Sequence, residues 1–274
     1  MRNSSSGGAS PDLPLVMLLV PVYNEEDNLP FLAEEIRQAM EGQGRPWGLL
    51  LVDDGSTDQS LAVIRRLAGE DPRILYLALE ANSGQSAALD AAFSRAPGDI
   101  FVTLDADLQN DPADIPVLLD LLDQGYDLAA GRRLRRQDGP AKRLASRLAN
   151  AVRRAFLRDG ISDTGCSLKA MRASLVRRLP PFRGMHRFLP ALMLLRGAAI
   201  VQIPVNHRPR TRGVSKYRVL DRLWPGLQDL LGVWWLRRRR VSYSLKEEGL
   251  RRGESAAAAP ALEKAPRGLQ DSME

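Results

Sequence analysis

The chain reads as an α/β protein built on a mostly parallel sheet flanked by helices, and three features predict this. Through its first half, short apolar runs alternate with stretches whose apolar residues recur every three or four positions. Strands alternating with helices in this way pair in parallel, because each helix returns the chain across the sheet. The apolar runs end in acidic or glycine-containing turns, and 274 residues at 44% hydrophobic content supply a core for one or two domains.

The elements follow in order. Residues 15–20 form an apolar strand, residues 23–28 turn the chain, and the periodicity over 29–40 predicts a helix. Residues 48–52 are a second strand, cut off by Asp53-Asp54-Gly55-Ser56-Thr57-Asp58, where Ser56 or Thr57 is expected to cap a helix over 59–67. A third strand over 74–78 leads through a turn at 82–84 to a helix ending near Ser94. A fourth strand over 100–104 ends in Asp105-Ala106-Asp107, and a helix over 115–122 and a fifth strand over 127–130 complete the series.

Beyond Gly131 the character changes. Residues 132–158 hold ten Lys or Arg and a single acid, Asp138, while Leu144, Leu148, Val152 and Phe156 recur every four residues. This spacing predicts an amphipathic helix with a basic outer face, suited to an anion and also consistent with a solvated surface. Residues 223–236 carry three tryptophans and precede Arg237–Arg240. Such a segment suits a membrane–water interface, with a core-packing helix as the alternative. The expected organisation is a disordered tail at 1–13, a catalytic domain at 14–222, an interfacial segment at 223–240 and a disordered tail at 241–274.

Composition narrows the function. Formal charge is +6, which favours anionic partners, and the lone Cys166 excludes an internal disulfide and reads as a buried apolar group. The apolar run at 13–22 contains Pro14 and Pro21, lacks a basic region before it and meets acids after it, so it reads as a strand rather than a leader. No segment supplies the roughly 20 apolar residues that a bilayer span needs.

The chemistry concentrates at strand ends. In parallel α/β sheets, ligands sit beyond the carboxyl ends of the strands, so Asp53-Asp54 and Asp105/Asp107 are expected to face one crevice. Aspartates two apart at a strand end point the same way and can approach one hard cation, Mg2+ or Mn2+, with Gln109 continuing the parity. Asp53 and Asp54 can accept hydrogen bonds from a nucleobase or ribose, or can serve a turn. The stretch from Asn206 to Tyr217, with four cations and a glycine, is able to close over a diphosphate. His186 and His207 lack the neighbours of a zinc site and receive no catalytic role.

Six ordered motifs resemble glycosyltransferase family 2, in its branch acting on polyprenyl phosphates, which includes dolichol-phosphate mannose synthases and undecaprenyl-phosphate aminoarabinose transferases. They are Val20-Pro21-Val22-Tyr23-Asn24-Glu25-Glu26, Asp53-Asp54-Gly55-Ser56-Thr57-Asp58, Asn82-Ser83-Gly84-Gln85, Leu104-Asp105-Ala106-Asp107-Leu108-Gln109, Asp163-Thr164-Gly165-Cys166-Ser167-Leu168-Lys169-Ala170 and Arg212-Gly213-Val214-Ser215-Lys216-Tyr217. The resemblance spans about residues 15–223. It implies a GT-A fold and inversion at the anomeric carbon. It implies a nucleotide site at Pro21, Tyr23, Glu25, Asp53 and Asp54, and a catalytic metal and diphosphate site at Asp105, Asp107 and Gln109. Donor-diphosphate contacts are implied from Arg212, Ser215 and Lys216, and acceptor-phosphate contacts from Arg132 and Arg143.

The expected activity is therefore metal-dependent transfer of sugar from a UDP- or GDP-sugar to a polyprenyl phosphate, at the cytoplasmic face of the inner membrane. Many bacterial relatives carry two transmembrane helices after the Ser-Lys-Tyr motif, whereas here only the tryptophan-rich segment follows. Peripheral attachment, or a separate membrane anchor protein, is expected instead. Transfer to a saccharide hydroxyl is the enzymatic alternative and would need a base near Asp163. A nucleic-acid-binding module is the non-enzymatic one, and it leaves the strand-end aspartates without purpose, so no nucleic-acid partner is expected. The first strand is not followed by Gly-x-Gly-x-x-Gly, which disfavours hydride transfer.

Overall fold

The computed structural model describes residues 13–133, 156–157, 160–209 and 223–239. The tails, the greater part of the basic helix expected over 144–156, and Arg143, Arg212, Ser215 and Lys216 lie outside the described residues. Seven strands form one sheet in the order β3-β2-β1-β4-β6-β5-β7. They are β1 (Val16–Val22), β2 (Trp47–Asp53), β3 (Ile74–Ala78), β4 (Ile100–Thr103), β5 (Leu128–Arg133), β6 (Lys169–Arg172) and β7 (Ile200–Val205). The first five were legible in the apolar runs, to within one or two residues at most ends.

The pairings β1–β2, β1–β4, β2–β3 and β5–β7 are parallel, and only β6 runs against its neighbours β4 and β5. Six strands therefore end at the same edge of the sheet, and β6 begins there. That edge is where the acidic motifs after β2 and β4 lie.

The central strands are buried on both faces by alternation. On β1, Val16, Leu18, Val20 and Val22 face one core while Met17 and Leu19 face the other. The first core is closed by α1 (Leu29–Glu41), α2 (Ser60–Glu70) and α4 (Ile115–Asp123). The second is closed by α3 (Gln85–Arg95), α5 (Ala173–Val176), α6 (Leu189–Leu195) and residues Leu230 and Val233 of α7 (Leu223–Arg238). Among the described residues, no helix is long and apolar enough to cross a membrane.

The expected cap on α2 takes another form. Gln59 is the residue before the helix and makes no side-chain cap. Ser56 Oγ instead accepts from Asn24 N (3.0 Å), Thr57 N donates to Asn24 Oδ1 (2.7 Å), and Asp58 Oδ1 accepts from Ser60 N (2.9 Å). Ser56 and Thr57, the two residues read as a helix start, thus stitch the loop after β2 to the loop after β1.

Gly55 makes that stitching possible. Its φ is +67°, and a Cβ there would stand 2.5 Å from Ala81 C and 2.6 Å from Asn82 N, so only glycine lets the two backbones approach. Gly55→Ala is expected to cost about 2 kcal/mol through left-handed strain and overlap, read as a drop in Tm of roughly 4–8 °C for a domain of this size. An unchanged melting curve would show that this approach is not required.

Candidate active site

The site is assembled from loops at the carboxyl edge of the sheet. β1 lies between β2 and β4, so the two acidic clusters are separated by two strand spacings, about 10 Å. That width suits one extended ligand better than a single ion shared by both clusters. The loop after β1 is fixed against the loop after β2 by Glu25 N donating to Ser60 Oγ (2.8 Å) and Gln59 N donating to Glu26 Oε2 (2.6 Å), in addition to the Asn24 bonds. Pro21, Tyr23 and Glu25 thus stand beside Asp53, all but Asp53 partly exposed. Glu25 Oε2 is held by Asn28 Nδ2 at 2.6 Å.

The two aspartates after β2 behave differently. Asp53 is 2% exposed; its Oδ2 accepts from Ser56 N (3.3 Å), while its Oδ1 is buried without a hydrogen-bond partner. A buried acceptor left without a donor is costly, and a ligand N–H or O–H would relieve it. Asp54 is satisfied within the chain, accepting from Ser83 N (2.8 Å) and Gly84 N (2.9 Å). Burial raises the pKa of Asp54, opposed by those two backbone donors and reinforced by the charge on Asp53. Its contribution to a nucleotide site is positional, because it pins the segment that opens α3.

That segment carries the connection to the second cluster. Gln85, the first residue of α3, donates from Nε2 to Asp105 Oδ1 at 2.8 Å. A continuous chain of bonds thus runs from Asp54 through Ser83 and Gly84 to Gln85 and Asp105, and links the two acidic clusters at the carboxyl edge of the sheet. Among the residues quoted within motifs, Gln85 is one whose individual role sequence reasoning missed.

Asp105 and Asp107 do not continue β4, which ends at Thr103; they lie in a turn where Leu108 has φ +59°. The parity expected from strand alternation, extended to Gln109, therefore does not describe this segment. The turn is set instead by Gln109 N donating to Asp107 Oδ1 (3.2 Å) and Asn110 Oδ1 accepting from Asp105 N (3.4 Å) and Ser167 Oγ (2.6 Å). Gln109 Nε2 lies 3.4 Å from Arg208 O, which turns its Oε1 the other way.

Burial raises the pKa of Asp105, the nearby charge of Asp107 raises it further, and the Ser167 hydroxyl, Lys169 and Arg133 pull it down. Lys169 is 3% exposed at the start of β6 and donates to Cys166 O; burial lowers its pKa. Cys166 is buried and its thiol pKa is pushed up by that burial, as suits a small core group. Asp163 is clamped by Arg133, whose Nε and Nη2 each donate at 2.8 Å. Arg132 is exposed at the end of β5, on the same edge as the acids.

Among the described residues, no three His, Cys, Asp or Glu side chains converge as a metal site. The donor set still fits a hard divalent cation that takes one or two carboxylates and completes its shell with phosphate oxygens and water. Asp105 and Asp107 supply the carboxylates, the amide oxygen of Gln109 is a neutral candidate, and the mutual repulsion of the two acids is what a cation would relieve.

Residues 17–179 match the family described as glycosyl transferase family 2. The chain belongs to that family. Undecaprenyl-phosphate 4-deoxy-4-formamido-L-arabinose transferase of Pectobacterium carotovorum subsp. carotovorum (strain PC1) is 38% identical over 210 residues, covering 76% of this chain and 64% of the relative. The enzyme of the same name from Edwardsiella ictaluri (strain 93-146) is 37% identical over 209 residues, with the same coverage. The chain thus spans just under two thirds of the length of these curated relatives.

The family 2 domain shares its fold with glucosyl-3-phosphoglycerate synthase from Mycobacterium tuberculosis. The structure with phosphoglyceric acid gives a TM-score of 0.60 at 21% identity, covering 84% of this chain and 81% of that one. The structure with Mn2+, uridine diphosphate and glucosyl-3-phosphoglycerate gives 0.59 at 22% identity with the same coverage.

Asp105 also yields a prediction on stability. A carboxylate whose folded pKa is raised destabilises the fold when ionised. That cost is full above the raised pKa and disappears as pH falls toward the unfolded value near 4. At neutral pH, Asp105→Asn is therefore expected to raise the Tm of metal-free protein by a few degrees, while Mn2+ no longer raises it further. A lower Tm in the variant would mean that the ionised carboxylate is stabilising.

Proposed function

We propose that this protein is an inverting glycosyltransferase that moves a sugar from a UDP- or GDP-sugar to a polyprenyl phosphate, using Mg2+ or Mn2+. The observation that carries this reading is the run of hydrogen bonds at the carboxyl edge of the sheet that links Asp54, the neighbour of Asp53, to Asp105 through Ser83, Gly84 and Gln85. The relatives named as undecaprenyl-phosphate transferases support the acceptor class.

In this reading Asp53 takes a ligand hydrogen at its open Oδ1, and Pro21, Tyr23 and Glu25 line the nucleotide. Asp105, Asp107 and Gln109 would hold the cation, whose charge would stabilise the departing diphosphate. Arg212, Ser215 and Lys216 are assigned to the donor diphosphate, and Arg132 and Arg143 to the acceptor phosphate. An acceptor phosphate oxygen bonds to the anomeric carbon from the face opposite the leaving group, and the bond from that carbon to the diphosphate breaks. A phosphate monoester loses its second proton near pH 6, so at pH 7 the attacking oxygen needs little help from a base. Alignment is then the main task of the protein. The bidentate hold of Arg133 on Asp163 fits this, since a hydroxyl acceptor would need an available base there.

The acceptor lipid requires approach to a bilayer. Leu227, Leu231 and Trp235 are 42%, 45% and 55% exposed and lie four residues apart along α7, whose opposite side buries Leu230 and Val233. Arg237, Arg238 and Arg239 follow, and Arg238 stacks on Trp234 with its guanidinium carbon 4.3 Å from the ring. Leu230 and Val233 pack this helix against the core, while Leu227, Leu231 and Trp235 stand outward. We assign the outer face to peripheral attachment at the cytoplasmic surface of an anionic membrane, alone or beside a membrane anchor protein.

A panel of radiolabelled nucleotide sugars offered with undecaprenyl phosphate is expected to give a labelled lipid, and Asp107→Asn to lower its formation by roughly 10²–10³-fold with the fold intact. Label appearing only in a water-soluble saccharide would overturn the acceptor assignment. Replacing Leu227, Leu231 and Trp235 by serine is expected to abolish cosedimentation with phosphatidylglycerol vesicles. Undiminished pelleting would discard the interfacial face.

A further inference from the structure

We infer that Arg208 is a positioning residue for the Asp105–Gln109 turn, holding it in the shape that a divalent cation needs. The inference rests on the proposed metal site but concerns a residue whose guanidinium is engaged by Glu35 and Asp111. The turn is held locally by Asp107 and Asn110 and from α3 by Gln85. β4 nevertheless ends at Thr103, Leu108 occupies the left-handed region at φ +59°, and such a conformation costs about 1 kcal/mol. A contact from outside the turn can offset that cost.

The chain leaving β7 supplies such a contact. Asn110 and His207 form an antiparallel bridge, Arg208 N donates to Gln109 O at 2.9 Å, and Gln109 Nε2 lies 3.4 Å from Arg208 O. One residue earlier, Asn206 N donates to Asp114 Oδ2 at 2.7 Å. The backbone of this segment is thereby laid along the turn and its continuation.

The Arg208 side chain anchors that arrangement to the body of the domain. Its Nη1 donates to both oxygens of Glu35 on α1 (2.9 and 2.7 Å), and its Nη2 meets Asp111 Oδ1 at 2.8 Å. One planar guanidinium thus binds a carboxylate on a rigid helix and a carboxylate just past the turn, a task its fixed fork performs and a single ammonium does not. With the guanidinium gone, Glu35 and Asp111 lose their shared cation, and the turn loses its link to α1. The backbone oxygen of residue 208, which accepts from the Gln109 amide, is then no longer anchored to α1.

Outer partners of metal ligands typically govern affinity by about 10–100-fold. Mn2+ binding to the full chain, followed by loss of the free-ion paramagnetic resonance signal, tests this without turnover. Arg208→Ala is expected to weaken Mn2+ binding at least about tenfold, and Arg208→Lys to restore only part of it. Glu35→Gln, which keeps the carbonyl oxygen as an acceptor, should fall between wild type and Arg208→Ala. With Mg2+ in the assay, the activation constant for metal should rise more than the KM for donor sugar.

Unchanged Mn2+ affinity in both Arg208 variants overturns the inference, whatever happens to Tm, because a purely structural strap would lower stability alone. If Arg208→Ala does not fold, Arg208→Lys and Glu35→Gln decide the matter by the same measurement. A wild-type chain that takes up no Mn2+ sinks the metal reading beneath, an outcome distinct from wild-type binding that the Arg208 variants leave unaltered.

Discussion

The bond pair from Ser83 N and Gly84 N to the Asp54 carboxylate is the interaction on which the site depends. It joins the loop after β2 to the start of α3, and through Gln85 it reaches Asp105. Without it the two acidic clusters would belong to separate loops two strand spacings apart. A carboxylate that accepts two backbone donors is a strong and directional hold, since ionised acceptors form shorter and stronger bonds than neutral ones. The cost of burying Asp54 appears in its raised pKa. The geometry requires Gly55 beneath it, where the loop passes against Ala81 and Asn82 with no room for a side chain.

The same edge of the sheet collects features that oppose stability. Asp53 Oδ1 is buried without a donor, Asp105 is desolvated beside Asp107, and Leu108 is left-handed. Each is costly; a ligand hydrogen would relieve Asp53, and a cation would relieve the repulsion between Asp105 and Asp107. The rest of the domain shows no comparable concentration among the described residues. β1, β2 and β4 are covered on both faces, with Leu18, Leu19, Leu49 and Phe101 almost completely buried. A conventional apolar core thus stabilises an edge that is strained until occupied, the pattern expected where function opposes stability.

Much of this was legible because parallel strands announce themselves. The runs that became β1 through β5 are apolar on both faces and close at acidic or turn residues, so their order and the crevice beyond them followed from periodicity. β6 and β7 escaped for identifiable reasons. β6 is four residues long and opens with Lys169, a charge that becomes tolerable only when it hydrogen-bonds Cys166 O and faces Asp105 and Asp163. β7 is an edge strand, partly exposed along its length, and contains Pro204, which an edge accepts and an interior strand does not. The partners of Ser56 and Thr57 were misread because a capping hydroxyl and a loop-bridging hydroxyl look alike until Asn24 is brought beside them by the β1–β2 pairing. The parity argument for Gln109 failed at the point where β4 ceased to be a strand.

The charges in this edge are sorted by burial. The carboxylates assigned to the donor lie at the carboxyl edge of the sheet, with Asp107 a like-charged neighbour of Asp105 and with Lys169 and Arg133 only partly offsetting that burial and repulsion. The acids that could have served as bases lie under arginines, as Asp163 does under Arg133 and as Glu35 and Asp111 do under Arg208. A domain that had to deprotonate a sugar hydroxyl would gain from an acid left open near the acceptor, because the strength of a base falls when a guanidinium stabilises its charged form. Closing off those acids is affordable when the attacking oxygen arrives already ionised. The electrostatic division of this edge supports the proposed phosphate acceptor. On that reading a chain with only two histidines needs neither as a base: the negative charge for attack would come in with the substrate, and the protein's work would be to hold two anions together while one bond replaces another.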